Sequence, residues 1–403
     1  MKFENIRNLI EKKQFLLLVL IAIFIGAFWR VFDINVFTGF ASIEIETLKS
    51  AVQITTNHWQ IDVHNIPNAA YQYLLAVFGH LTEFKPLYLR FLQAAIGIAT
   101  SIFFYLFVKS WFNKQVALLS TLFFATNAYL LILSRVIDAS MLIILLQLVI
   151  LYVLTIAFRE KNIYLFALSG ILSGLGFYLS PIFVVSGALI VVACLTITMK
   201  NRKIFSIYKY EFLALISGVV LTSGYFLFKL PIFFNEILSY FSPGSITSFY
   251  LNLGANVLAI FNNTPASSMF NVGTEPIVDP FIAVTFFAGV FYSLFHSNKR
   301  KYLFLLLWLL GTLAIISLTT TQGIGNLIIL MPPIFIFSAV ILDYILTTWT
   351  RSFPFNKSAR LVMTFIFSLF LFLSIYYNFE KFFYGWQENE DVKALFTQEL
   401  ILE

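Results

Sequence analysis

The sequence predicts an all-α fold, a polytopic transmembrane helical bundle of about eleven spans, and three observations predict it. Of the 403 residues, 60% are hydrophobic and only 11% charged, against about 45–50% and about 25% in soluble domains. The apolar residues fall in runs near the roughly 20 residues that a helix needs to cross about 30 Å of hydrocarbon. The polar breaks between those runs alternate in charge, as a chain threaded through a bilayer requires. A soluble core is excluded because too few charges exist to cover it. Disorder is excluded by the apolar content, and a disulfide scaffold by the presence of one cysteine, Cys194.

The runs are 14–31, 87–108, 115–133, 139–157, 163–180, 182–199, 211–230, 280–297, 302–320, 327–348 and 361–378. The first follows Lys12 and Lys13 and ends at Trp29-Arg30 without a small-residue cleavage site, so it reads as a retained signal anchor with its N-terminus in the cytoplasm. Threading onward from there puts 18 of the 26 basic residues on the cytoplasmic side, among them Lys109, Lys114, Arg159, Lys161, Arg300 and Arg351. It leaves 15 of the 20 acidic residues outside. Both biases give a cytoplasmic (inner) membrane protein with its N-terminus inside and C-terminus outside. They also remove nucleic acid as a partner for the +6 net charge, because the cations sit in short loops and not along one stripe. The alternation requires the chain to turn back at Ser180-Pro181.

Residues 1–378 form one transmembrane domain with two long outer loops, 32–86 and 231–279, and 379–403 form a short acidic C-terminal tail carrying Trp386. Within the first loop, 42–56 and 67–80 have helical spacing and are expected to lie along the membrane surface. Long outer loops beside short inner ones put recognition or chemistry on the outside.

The chain has no glycine-rich phosphate loop, no HExxH, no GxSxG and no cysteine pair, which removes nucleotide binding, zinc hydrolysis and thiol chemistry. His58, His64 and Asp62 share a short window, but that spacing suits wetted interfacial side chains better than a metal site. Ionisable residues beside spans are more informative, since charge near hydrocarbon is costly. Lys85, Arg90, Arg135 and Lys229 supply cations at the outer level, and Asp33, Glu44, Glu46 and Asp138 supply carboxylates. Cations there can stabilise a departing phosphate while a carboxylate takes the acceptor's proton. The competing reading is that Lys85 and Arg90 snorkel and that Arg135 and Asp138 pair to close a turn.

Several short motifs then occur in a distinctive order: Trp29-Arg30-Val31-Phe32, the loop Gly39 to Glu44, Tyr73, Phe78-Gly79 and Leu89-Arg90-Phe91. Gly97, Ala117 to Ser120, Ser134-Arg135 with Asp138, Gly174 to Tyr178, Asn271 to Pro280 and Met331-Pro332 complete it. In this order, over about residues 20–350, the chain resembles the GT-C superfamily of integral-membrane glycosyltransferases, similar to bacterial protein O-mannosyltransferases and aminoarabinose transferases. The resemblance implies transfer of a hexosyl or pentosyl group from a polyprenyl-phosphate sugar donor to an acceptor glycan, lipid or protein hydroxyl. It implies catalytic roles for Glu44, Glu46 and Asp138, phosphate binding by Arg90, Arg135 and Lys85, and substrate contacts from Tyr178, Asn271, Asn326 and His64. No cofactor is expected; a divalent metal is compatible with the chemistry but not required, because a phosphate monoester leaves without one. The chain departs from the family where Ile43 replaces the Asp of an Asp-Glu pair, where Asn326 replaces a basic residue, and where Asn263-Thr264-Pro265 replaces a Gly-Asp pair. Two alternatives follow: an inactive GT-C-like scaffold, or a transporter or flippase for a lipid-linked precursor. The latter is disfavoured by run centres that are nearly all apolar and by the lack of an internal repeat.

Overall fold

The computed structural model describes residues 2–59, 69–198, 208–224, 241, 245–262, 269–319 and 324–400. Helix α1 (Lys2–Val31) leads into the first outer loop, which carries α2 (Ser42–Thr56) and α3 (Ala69–Thr82). Then come α4 (Pro86–Trp111), α5 (Lys114–Thr126), the short α6 (Ala128–Leu133) and α7 (Ser140–Glu160). They are followed by α8 (Ile163–Gly176), α9 (Val184–Thr198), α10 (Lys209–Thr222) and α11 (Ile246–Phe261). The chain continues with α12 (Pro280–Phe295), α13 (Arg300–Ser317), α14 (Met331–Ser352), α15 (Lys357–Glu380) and α16 (Glu390–Leu395). The two surface helices expected in the first loop are present, α2 with the expected bounds and α3 beginning two residues later.

Among the described residues, six helical segments are long and apolar enough to cross a bilayer: Gln14–Val36, Pro86–Trp111, Ser140–Glu160, Arg300–Ser317, Gly325–Ser352 and Lys357–Gln387. Four shorter apolar helices stand among the described residues, Ile163–Gly176, Pro181–Ile197, Ile246–Phe261 and Pro280–Phe295, against about eleven apolar runs in the sequence. The 115–133 run departs most. It breaks at Asn127, whose extended backbone ends α5 and whose Oδ1 accepts from the Leu130 amide at 3.3 Å to begin α6. The second outer loop contains a helix, α11, that its apolar spacing permitted but that was read as loop. At Ser180-Pro181 the chain does turn, with Pro181 opening a short helical turn before α9.

Side chains tie the ends of distant helices together: the Asn113 amide donates to Asp343 Oδ2 at 2.7 Å, Arg300 to the Ile197 carbonyl at 2.9 Å and Lys381 to the Pro276 carbonyl at 2.6 Å. Within the bundle, α14 is buried from Met331 to Leu342, whereas α15 exposes Leu361, Phe365, Leu369 and Phe372. An exposed apolar face on a helix of this length has lipid as its solvent.

The break after α5 leaves the last carbonyls of that helix without intrahelical donors. Arg30, wholly buried in the last turn of α1, fills the gap: Nη1 donates to the carbonyls of Ala125 and Gly26 at 3.0 and 2.9 Å, and Nε to Ser134 Oγ at 3.0 Å. A cation at a helix C-terminus also matches its dipole. Gly97 on α4 makes room for this arrangement, since a Cβ there would lie 2.4 Å from Ser134 Oγ and 2.8 Å from Arg30 Nε. Gly97→Ala is expected to lower stability by about 1–3 kcal/mol in thermal or denaturant unfolding of detergent-purified protein. Gly187→Ala, whose added methyl meets nothing within 4 Å, is expected to gain up to about 1 kcal/mol from helix propensity. Equal stability of the two variants would refute the close-packing account.

Candidate functional site

Every residue from Ala125 to Ile137 is buried, although most of this stretch after α5 is a six-residue helix and an irregular turn. Its backbone groups therefore need protein partners. On the side of α12 and α15, Asn378 Oδ1 accepts from the Ala128 amide at 2.9 Å, while its Nδ2 donates to Asp279 Oδ2 at 2.8 Å. Asp279 Oδ1 caps α12 through the Ile282 amide at 2.9 Å, and burial raises this carboxyl above the ordinary range despite those donors. On the side of the first loop, Gln93 Nε2 donates to the carbonyls of Leu133 and Asp138 at 3.2 and 2.8 Å, and its Oε1 accepts from the Tyr71 hydroxyl at 3.1 Å.

Glu44 closes the same turn. Its Oε1 accepts from the Ile137 amide at 2.8 Å; Oε2 accepts from the Ala41 amide at 3.0 Å and from Arg90 Nη2 at 3.4 Å. The Ala41 bond is the reciprocal arm of a helix cap, which fixes Glu44 in the first turn of α2. Arg90 also donates to the carbonyls of Gly39 at 2.7 Å and Arg135 at 3.2 Å, and its guanidinium lies 5.0 Å from the Phe396 ring centre. Arg135 donates to the carbonyls of Trp29, at 2.9 Å, and of Phe32 and Asp33, and to Gln387 Oε1 at 3.0 Å. Glu44, Arg90 and Arg135 are thus brought together, each 1% exposed or less. In this structure neither guanidinium has surface for a phosphate, and Arg135 does not pair with Asp138.

Asp138 is the carboxylate of this group that reaches the surface. It is half-buried one residue after the amide that binds Glu44, and its Oδ2 caps α7 through the Ser140 amide at 2.8 Å. Gly325 comes within 3.2 Å of Ser140 Oγ, counted from the Cβ it lacks, so the turn bearing half-buried Asn326 borders Asp138. Ile43, beside Glu44, is 49% exposed.

The other candidates are dispersed. Glu46 is exposed on α2, and Lys85, also exposed, pairs with Glu83 at 2.7 Å. Tyr178 donates from its hydroxyl to the Thr222 carbonyl at 3.1 Å, and buried Asn271 donates to the Glu275 carbonyl at 2.5 Å. His64, Lys229 and Asn263-Thr264-Pro265 lie outside the described residues. Sequence reasoning missed Arg30, Gln93, Asn378 and Gln387 as partners of the buried turn. Their signal was a lone polar side chain in an otherwise apolar run, and for Gln387 there was none.

Burial raises the Glu44 carboxyl above the ordinary range, with the Arg90 charge and the Ile137 and Ala41 amides pulling the other way. An acid raised on folding opposes the folded state when ionised, so falling pH through its folded value relieves a cost. Glu44→Ala strands a buried arginine and two amides and is expected to cost about 3–5 kcal/mol. Glu44→Gln is expected to cost less and to gain less stability than the native protein on acidification from neutral pH, Asp279 supplying the remainder, both read by unfolding in detergent. An unchanged pH profile in Glu44→Gln would refute the assignment.

A family model described as dolichyl-phosphate-mannose-protein mannosyltransferase matches residues 68–226. No curated protein matches the sequence. The structure is similar to ArnT from Cupriavidus metallidurans bound to undecaprenyl phosphate, at TM-score 0.58 and 12% identity over 95% of this chain and 76% of that one. It is also similar to the archaeal oligosaccharyltransferase AglB from Archaeoglobus fulgidus in complex with an inhibitory peptide and a dolichol-phosphate, at TM-score 0.58 and 14% identity over 91% of this chain. The chain spans only 55% of that enzyme's length. The same archaeal enzyme tethered to an acceptor peptide gives TM-score 0.59 and 13% identity over 97% of this chain and 60% of the other. The chain is a multi-pass membrane protein whose fold is that of ArnT and of the archaeal oligosaccharyltransferase.

Proposed function

We propose that the chain is an inverting membrane glycosyltransferase that moves a sugar from a polyprenyl-phosphate donor to an acceptor hydroxyl at the outer face of the cytoplasmic membrane, with its N-terminus inside and C-terminus outside. The observation that carries this reading is the likeness to ArnT along 95% of the chain, since the ArnT structure holds undecaprenyl phosphate. The acceptor oxygen bonds to the anomeric carbon, the carbon–oxygen bond to phosphate breaks, and polyprenyl phosphate leaves with the electron pair. Asp138 takes the hydroxyl proton, being the half-buried carboxylate at the rim of the Glu44–Arg90–Arg135 cluster. Glu44 acts as a positioning residue, because its two oxygens already accept from Ile137, Ala41 and Arg90. Lys85, exposed at the start of α4, is the cation free to exchange its Glu83 partner for a donor phosphate.

A second reading, a scaffold that binds donor without turnover, is favoured by Ile43, whose exposed side chain cannot take a proton. Purified protein in liposomes supplied with polyprenyl-phosphate sugars separates the two. On the transferase reading the native protein transfers sugar, and Asp138→Asn lowers kcat by about a hundredfold or more with donor binding retained. Lys85→Gln raises the donor KM. Full activity in Asp138→Asn removes the assignment. Donor binding without transfer, with turnover gained in Ile43→Asp, establishes the scaffold.

A further inference from the structure

At the lysine- and arginine-bearing ends of α4 and α7 a groove of about 420 Å³ opens between the two helices. Half-buried Leu106, Tyr152, Thr155 and Ile156 form its floor, and exposed Lys109, Ser110, Arg159 and Glu160 its mouth. Both helices are long and apolar enough to span a bilayer, and each cation lies in the last turn of its helix, so the mouth sits at headgroup depth and the floor at acyl depth. Lys109 and Arg159 are exposed, and neither has a carboxylate within ion-pair distance among the described residues. The contact of the Lys109 ammonium is the Tyr105 ring, 5.4 Å away. Glu160 stands at the rim, exposed and paired with neither cation.

Helix dipoles explain a cation at each C-terminus, but not a preformed cavity between two of them. The cavity is held open by fixed parts: the Trp111 indole donates to Thr155 Oγ1 at 2.7 Å, and that hydroxyl donates to the Leu151 carbonyl at 2.7 Å. Two unneutralised cations over an apolar slot match a group with one negative phosphate and hydrocarbon beneath it. We infer that this groove binds an anionic phospholipid, its headgroup phosphate between Lys109 and Arg159 and an acyl chain along Leu106 and Ile156. The inference rests on α4 and α7 spanning the membrane and is independent of the transferase reading.

The test is native mass spectrometry of the full chain in detergent, titrated with phosphatidylglycerol or phosphatidylcholine. The native protein is expected to retain phosphatidylglycerol preferentially. The double variant Lys109→Gln/Arg159→Gln is expected to bind it about 25-fold more weakly, at roughly a fivefold loss per cation near an anionic surface. Arg351→Gln/Lys357→Gln, which removes two cations at the same end but outside the groove, is expected to bind as the native protein does. Equal retention of the two lipids, or undiminished phosphatidylglycerol binding in the groove variant, overturns the proposal. So does displacement of the lipid by inorganic phosphate alone, which would mark a site for a free anion.

Discussion

Irregular backbone buried in an apolar bundle must find all of its hydrogen bonds inside the protein, and that constraint organises the outer half of this molecule. The stretch from Ala125 to Ile137 is buried and has too little helix to satisfy itself. Arg30, Gln93 and Asn378 from three long helices, and Glu44 from a surface helix, each supply the missing donor or acceptor. The charges in the set carry hydrogen bonds to several elements at once, so they are tolerated where isolated charges would not be. Removing any one leaves its partners buried and unpaired, which is why the cluster behaves as one unit.

This network also places the candidate chemistry. Because Glu44 is tied to the Ile137 amide, the N-terminus of α2 and the start of α7 are held side by side, and Asp138 emerges between them. A group poised to handle an acceptor needs this kind of support, since small displacements of a reacting pair are costly in rate. The buried residues thus build the rim, and the half-exposed ones face outward from it. Of the proteins that share this fold, ArnT is seen with undecaprenyl phosphate and AglB with a dolichol-phosphate. Of the departures, Ile43 is exposed beside Glu44 and Asn326 is half-buried.

Much of the fold was legible in the sequence because a bilayer imposes length and polarity on each run independently of its neighbours. The helix at 42–56 was readable from spacing alone, and its observed bounds coincide with the expectation. The break at Asn127 was not, because one amide in an apolar run carries no turn signature without its partners, Asn378 and the Leu130 amide. Glu44, Arg90 and Arg135 stood out as expensive charges, and they do converge. Their partners were not legible, because both arginines bond largely to main-chain carbonyls, which every residue has and no motif announces. The acidic tail was the least legible element: Trp386 and Phe396 pack with Phe37 and Ala41 of the first loop, across a distance in sequence that no local pattern spans.

That long-range closure bears on biosynthesis. Gln387 binds the Asp33 carboxylate from 354 residues downstream, and Gln398 pairs with Phe40 beyond it. At about 5–20 residues per second, the ribosome needs roughly twenty seconds to over a minute to make the intervening chain. Asp33 and the first loop wait for those partners through the whole of that interval, and Arg135, made 102 residues after Asp33, through the rest of it. The groups that Gln387 and Gln398 satisfy in the finished fold must therefore be met by water or by the insertion machinery until the tail arrives to seal them.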